Sequence, residues 1–241
     1  MLRGWLGLVV ACLSTTVAAE VLHVGFGTHK PPYVFEGEPR GLEYELVDRA
    51  AQHAGFELTA YYAPIERLHL MLRRGEIDAI ATTHERSGVE AFYSDVYIHY
   101  HNVAVSLAKR GYRIERISDL GQYSVSAFQR ARLLLGAEFE RMALSNPRYR
   151  EEALQINRNR LLYSGRSEVV VGDKRIIRYF DREVADQVDV TQPLAWFEIF
   201  PPTPYRVGFR RAEQRQRFDR GLRILRESGE YRRIEQRYLT D

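Results

Sequence analysis

Short apolar runs alternate along this chain with longer stretches in which apolar residues return at helical spacing. Val21 to Phe26 suits a buried strand and is followed by Pro31-Pro32, a pair that cannot lie inside a helix. Leu42, Leu46, Ala50 and Ala54 recur with Val47 and Ala51 beside them, which predicts a helix ending at Gly55. Phe56, Leu58, Ala60 and Tyr62 alternate with other residues as in a strand. After Pro64, the residues Ile65, Leu68 and Leu72 share one helical face, closed by Gly75, and Ile77 to Ala81 predicts a third strand. A β-α-β-α-β order of this kind implies parallel strands with right-handed crossovers, and ligands of such sheets sit beyond the carboxyl ends of the strands.

The pattern then changes and restarts. Tyr97 to Leu107 reads as a long extended run. From Ile117 a second α/β unit follows: a strand over Ser124 to Phe128, a helix from about Ala131, a strand near Leu154, then Glu168 to Val171 and a further helix. Trp196 to Phe209 is again extended. The last segment is helical, with Phe218, Leu222 and Leu225 on one stripe and Tyr231, Ile234 and Tyr238 on another. Two extended segments therefore bracket a middle lobe.

The amino terminus is of another kind. Arg3, an apolar run from Trp5 to Leu13 and Val17-Ala18-Ala19 read as an export signal over residues 1–19, cleaved before Glu20. A membrane anchor would need about 20 apolar residues, and this run is broken by Gly7, Ser14, Thr15 and Thr16. A periplasmic protein is expected, in preference to a form lipid-anchored at Cys12, the one cysteine of the chain. Cleavage at Ala19 leaves no thiol for disulfides, thiolate metal sites or cysteine catalysis. The remaining chain is long enough for two lobes of about 100 residues each. A balance of 35 basic against 32 acidic residues, interleaved in the C-terminal helices as Arg210-Arg211, Glu213, Glu230 and Arg232-Arg233, describes solvated helix faces rather than a basic tract, so nucleic acid is not expected as a partner.

Several short motifs follow one another in order. Gly25 and Pro31-Pro32-Tyr33-Val34-Phe35 come first, then Gly41-Leu42-Glu43-Tyr44-Glu45-Leu46. Arg67-Leu68 leads to Leu72-Arg73-Arg74-Gly75-Glu76-Ile77-Asp78-Ala79-Ile80, followed by Thr83-His84-Glu85-Arg86 and Ser94-Asp95-Val96-Tyr97. Ile117-Ser118-Asp119-Leu120, Gly172-Asp173 and Ser228-Gly229-Glu230-Tyr231 complete the series. In this order they resemble the extracellular solute-binding proteins of family 3, the polar-amino-acid binders of ABC uptake systems, over essentially the whole mature chain. The resemblance implies an α/β, two-lobed periplasmic binding protein fold (type II), each lobe a mostly parallel sheet flanked by helices, joined by two extended hinge segments. Lobe 1 is expected over residues 20–107 and 197–241, and lobe 2 over 108–196. The resemblance also implies a monomer that presents its small-molecule ligand to a membrane permease of an ABC transporter, with no cofactor.

A free amino acid presents a carboxylate and an ammonium, so its site needs a fork of donors and an acidic acceptor. A guanidinium supplies the fork through two parallel hydrogen bonds. By resemblance, Arg86 carries this clamp, with Thr82 and Thr83 as nearby donors, and Asp173 takes the ammonium from the second lobe, while also being placed to cap the helix that follows. Tyr33 is expected as an aromatic wall, and Glu43 as a first-turn acid matching the helix dipole. The chain departs from the family between Asp78 and Arg86, which is shorter than usual, and at Gln129-Arg130-Ala131, where Gly-Thr or Gly-Ser is common. Arg130 as a second cation predicts a ligand with extra negative charge, an acidic amino acid or small carboxylate. Gly27 stands where binders of basic amino acids carry an aspartate. A signalling module and a dehydratase-like enzyme on the same fold are the rival readings; catalysis would need a paired acid and base, for which Glu85 beside Arg86 is the best candidate. His99 and His101 share a strand face but lack a third metal ligand, so no metal site is expected.

Overall fold

A computed structural model describes residues 19–238. Cys12 and all but the last residue of the leader expected over residues 1–19 lie outside them. The first sheet is built from β1 (Glu20–Phe26), followed by helix α1 (Leu42–His53), β2 (Phe56–Tyr62), helix α2 (Ile65–Arg74) and β3 (Ala79–Thr83). β1 runs parallel to both β2 and β3, pairing Leu22 with Leu58 and Val24 with Ala79. Short strands β4 (Phe92–Tyr93) and β5 (Ile98–Tyr100) come next, and the chain then crosses to a second sheet.

That sheet begins with β6 (Asn102–Leu107) and continues through β7 (Val125–Phe128), helices α3 (Ala131–Leu134) and α4 (Ala137–Ser145), and β8 (Tyr149–Glu152). Helix α5 (Gln155–Tyr163), β9 (Val169–Asp173), helix α6 (Lys174–Glu183) and β10 (Leu194–Phe197) complete it. The chain returns to the first sheet as β11 (Thr203–Phe209) and ends in helices α7 (Ala212–Glu227) and α8 (Glu230–Tyr238). The strand orders are β2-β1-β3-β11-β4, with β5 also on β11, and β10-β6-β9-β7-β8. This is the two-lobed α/β arrangement that the resemblance implies.

The crossing differs from expectation in one respect. β6 was expected in lobe 1, yet it pairs antiparallel with β9 and β10 in the second sheet. Lobe 1 therefore hands over at His101, between β5 and β6, because Asn102 to Leu107 is buried throughout and finds its ladder partners there. The strand expected near Leu154 lies at β8, just before it; Leu154 is instead the residue preceding α5.

Each sheet buries its own core. Leu22, Val24 and Phe26 pack with Leu46, Val47 and Ala50 of α1 and Phe218 and Leu222 of α7. In the second lobe Val125, Ala127, Val169 and Val171 pack with Leu120, Phe139 and Met142. Burial of each such large side chain contributes about 1.5–3 kcal/mol. These two cores hold the carboxyl ends of β1, β3, β7 and β9 against each other across a cleft.

Candidate functional site

The cleft encloses a cavity of about 70 Å³, several times the roughly 10–15 Å³ that holds one water. Lobe 1 lines it with Gly27, Thr28, Lys30, Ile65, Thr82, Tyr100 and Tyr205. Lobe 2 lines it with Asn102, Phe128, Gln129, Leu134, Gln155, Arg158, Asp173 and Ile176.

On the lobe 1 side the polar groups form a buried cluster. The Lys30 ammonium pairs with Glu43 Oε2 at 2.8 Å and donates to Thr82 Oγ1 at 2.5 Å. The Thr82 and Tyr100 hydroxyls both donate to Glu43. Glu43 is fully buried and Lys30 only 5 % exposed. Burial holds the Lys30 ammonium below its ordinary pKa, against the opposing pull of Glu43. Burial and Glu43 together push the Tyr100 hydroxyl well up. Glu43 opens helix α1, as expected, but its side chain serves as the counter-charge of Lys30. Thr82 holds the cluster with a backbone φ of 56°, and its N–H donates to the Tyr97 hydroxyl at 3.0 Å. Thr82 and Arg130, with φ of 65°, are the residues other than glycine that adopt left-handed φ among those described. Both lie beside the cleft, where strained backbone collects at functional sites.

On the lobe 2 side, Asp173 ends β9 and caps α6. Its Oδ1 accepts from the backbone N–H groups of Arg175 at 2.9 Å and Ile176 at 3.3 Å. Its Oδ2 accepts from His101 N–H at 2.9 Å and from the Tyr33 hydroxyl at 3.1 Å. Burial raises the Asp173 pKa, and these hydrogen bonds oppose the rise.

Arg158, on α5, is the largest fully buried side chain, at 1 % exposure. Its guanidinium donates through Nη1 to the Val171 carbonyl at 3.4 Å and through Nη2 to Gln155 Oε1. Its Nε has no partner, and no carboxylate lies within ion-pair distance among the described residues. Burial lowers its pKa to about 10, so the group is charged at neutral pH. Asp173 and Glu152 favour its charged form only from beyond ion-pair distance, and a buried cation with no direct partner is costly, so a bound anion would supply that partner.

Two of the residues expected at the site, Thr82 and Asp173, line the cavity. The others do not. Arg86 lies in the 3-10 turn Glu85–Ser87, with its side chain 47 % exposed and its guanidinium on Glu140 of lobe 2 at 3.3 Å. The short stretch after Asp78 turns it away from the cavity. Arg130 pairs with Glu66 at 2.8 Å and donates to the Ser87 carbonyl, both in lobe 1. Arg86 and Arg130 thus bridge the lobes at the rim, joined there by His84, whose Nε2 lies 3.2 Å from the Leu134 carbonyl. Thr83 is buried beside Thr82 with its hydroxyl unpartnered. Tyr33 is buried behind the lining, stacked on Tyr100 at 4.0 Å between ring centroids. Glu85 pairs with Arg206 at 3.3 Å and does not line the cavity. His99 and His101 belong to no group of three potential metal ligands among the described residues.

Lys30 and Arg158 are the cations that sequence reasoning missed. Arg158 sits in the polar run Asn157-Arg158-Asn159-Arg160. Its position four residues before the buried Leu162 is the signal that it faces inward.

The family model of the bacterial extracellular solute-binding proteins, family 3, matches residues 22–241. Among solved structures, the chain is similar to an ancestral arginine-binding protein bound to arginine (TM-score 0.74, 19% identity, covering 93% of this chain and 100% of that one). It is also similar to a histidine kinase sensor domain with similarity to periplasmic binding proteins (TM-score 0.77, 19% identity, 92% and 97% covered). A third is the ancestral amino acid-binding protein AncCDT-1, a precursor of cyclohexadienyl dehydratase (TM-score 0.68, 17% identity, 91% and 96% covered). At these identities the likeness is one of fold. No curated protein matches the sequence.

Proposed function

We propose that this chain, which belongs to the bacterial extracellular solute-binding proteins of family 3, captures an amino acid or similar small carboxylate in the periplasm by closing its lobes. The closed form then presents the solute to the membrane permease of an ABC-type uptake system. The observation that carries this reading is the buried guanidinium of Arg158, with donors to spare, in a cavity lined from both lobes. A ligand held there touches Lys30 and Thr82 on one side and Arg158 on the other. It makes those contacts together only when the lobes are closed, so it shifts the hinge equilibrium by the difference.

The role is binding rather than catalysis. A general base needs a free lone pair within reach of a substrate proton, whereas the oxygens of Glu43 and Asp173 already accept hydrogen bonds from protein donors. Arg158 takes the part of the carboxylate clamp, and Arg86 and Arg130 hold the lobes together at the rim.

A thermal-shift screen of the full chain against amino acids and small carboxylates tests this. A ligand at 100 times its dissociation constant should add about 2.7 kcal/mol of stability, and Arg158→Lys should remove the shift. Absence of any shift across both panels would overturn the proposal. Deletion of the chain in its host should abolish uptake of the identified solute; uptake left intact would refute the transport role.

A further inference from the structure

Hydrogen-bond capacity inside the cavity is unevenly used. Asp173 is the one carboxylate among the cavity-lining residues. It already accepts from Arg175 N–H, Ile176 N–H, His101 N–H and the Tyr33 hydroxyl. An ionised carboxylate has about four acceptor positions, so Asp173 has none left for a ligand. Its donors are main-chain groups fixed by β9, α6 and the crossing at His101, plus a tyrosine itself held by stacking on Tyr100. Glu43 is not in the lining, and its oxygens are taken by Lys30, Thr82 and Tyr100.

The donors are in the opposite condition. Nε of Arg158 is unpartnered, and its two terminal nitrogens make one hydrogen bond each out of the five donors a guanidinium carries. Lys30 uses two of its three N–H bonds, on Glu43 and Thr82. The lining also has an apolar part, Ile65, Phe128, Leu134 and Ile176, beside the neutral polar groups of Thr28, Asn102 and Gln129. A carboxylate entering this space finds charge-assisted donors. An ammonium entering it loses its hydration and finds no lining carboxylate with an acceptor position to spare, which is a large desolvation cost.

We infer that the cavity selects a small carboxylate that carries no ammonium beside its acid group, with Arg158 receiving the carboxylate and the apolar wall receiving its body. This rests on the solute-binding reading above and narrows it: α-amino acids are the weaker ligands.

Matched pairs that differ only by the ammonium test it on the wild-type chain, by calorimetric titration: propionate with L-alanine, butyrate with L-2-aminobutyrate, and glutarate with L-glutamate. The des-amino acid of at least one pair should bind, and at least about tenfold more tightly than its amino partner. Arg158→Lys, which keeps the charge and loses the fork, should weaken the des-amino ligand by at least about tenfold while the ligand-free melting temperature reports whether the variant is folded. Amino acids binding as tightly as their partners, or more tightly, would overturn the inference and leave the solute-binding reading standing. No binding by any member at millimolar concentration would overturn both. Because the comparison between partners uses the wild-type protein, it is decisive even where the variant fails to fold.

Discussion

The guanidinium of Arg158 lies against the backbone of Gly172: a Cβ placed on that glycine would come within 3.2 Å of Cζ and of both terminal nitrogens. Gly172 sits in β9 directly before Asp173 and pairs with Val103 of β6, so its backbone is held in that ladder. The missing side chain is what allows an arginine to lie flat on the strand at the floor of the cavity. Gly172→Ala should push the guanidinium aside by a few tenths of an ångström. Solute affinity should fall by about tenfold or more, because geometry at a bidentate clamp is unforgiving. Titration of the variant with the best wild-type ligand checks this; unchanged affinity would mean that Arg158 does not receive the ligand.

The Lys30–Glu43 pair makes a different prediction, about stability. Glu43→Gln keeps an acceptor for Thr82 and Tyr100 but leaves the Lys30 ammonium buried without its counter-charge. Removing one partner of a buried pair costs about 3–5 kcal/mol, and urea unfolding should show a loss of that order. Lys30→Met with Glu43→Gln together should cost clearly less than the sum of the single changes, since the uncompensated charge is then gone.

At the rim, Arg86 and Arg130 should behave unlike Arg158. Each pairs across the lobes near solvent, and exposed ion pairs contribute about 0–1 kcal/mol. Arg86→Ala should therefore leave solute affinity within a few-fold of wild type. Arg86→Ala combined with Glu66→Gln should shift the ligand-free chain toward an open form, seen as a larger radius of gyration in small-angle scattering. A loss of binding in Arg86→Ala as large as in Arg158→Lys would restore Arg86 as the clamp.

Helices α1 and α7 approach so closely that a Cβ on Gly221 would lie 2.1 Å from the Ala50 carbonyl oxygen and 2.9 Å from the Ala54 nitrogen. Both obstacles are backbone and cannot yield without separating the helices. In an isolated helix, Gly→Ala gains up to about 1 kcal/mol. Here overpacking, typically about 1–3 kcal/mol and occasionally more, outweighs that gain. Gly221→Ala should melt at a lower temperature than wild type.

What could be read from the residues alone divides along a physical line. Strands and helices such as β1 and α1 are announced by local periodicity, because Leu22, Val24 and Phe26, or Leu46, Val47 and Ala50, must share a buried face. The handover at His101 was less visible, since Tyr97 to Leu107 is apolar on both sides of it and only pairing decides which sheet each half joins. The cavity was the least legible part. Lys30 is buried by partners distant in the chain, and for Arg158 the spacing to Leu162 is the one local mark of a cation that is taken out of water. Arg86 and Arg130 had the right chemistry, but the turn geometry that aims a side chain depends on loop length, and theirs carries them to the rim.

His69 provides the pH test. It is 3 % exposed on α2 and both ring nitrogens lack partners. Burial, with smaller contributions from Arg130 and Arg73 against Glu66, lowers its pKa from 6.5 to about 4. Between those values the unfolded chain takes up a proton that the folded chain refuses, so stability is complete above about pH 6.5 and falls as the solution is acidified toward pH 4. The contribution over that window is on the order of 3 kcal/mol. His69→Leu removes the titrating group and fills the same apolar site. Carboxylates that titrate in both proteins cancel in the comparison, leaving the histidine term alone. The stability difference between variant and wild type, measured by urea unfolding at pH 7, 5.5 and 4.5, should therefore grow in favour of the variant as pH falls. A difference that stays constant with pH would mean that His69 accepts its proton in the folded chain as readily as in the unfolded one.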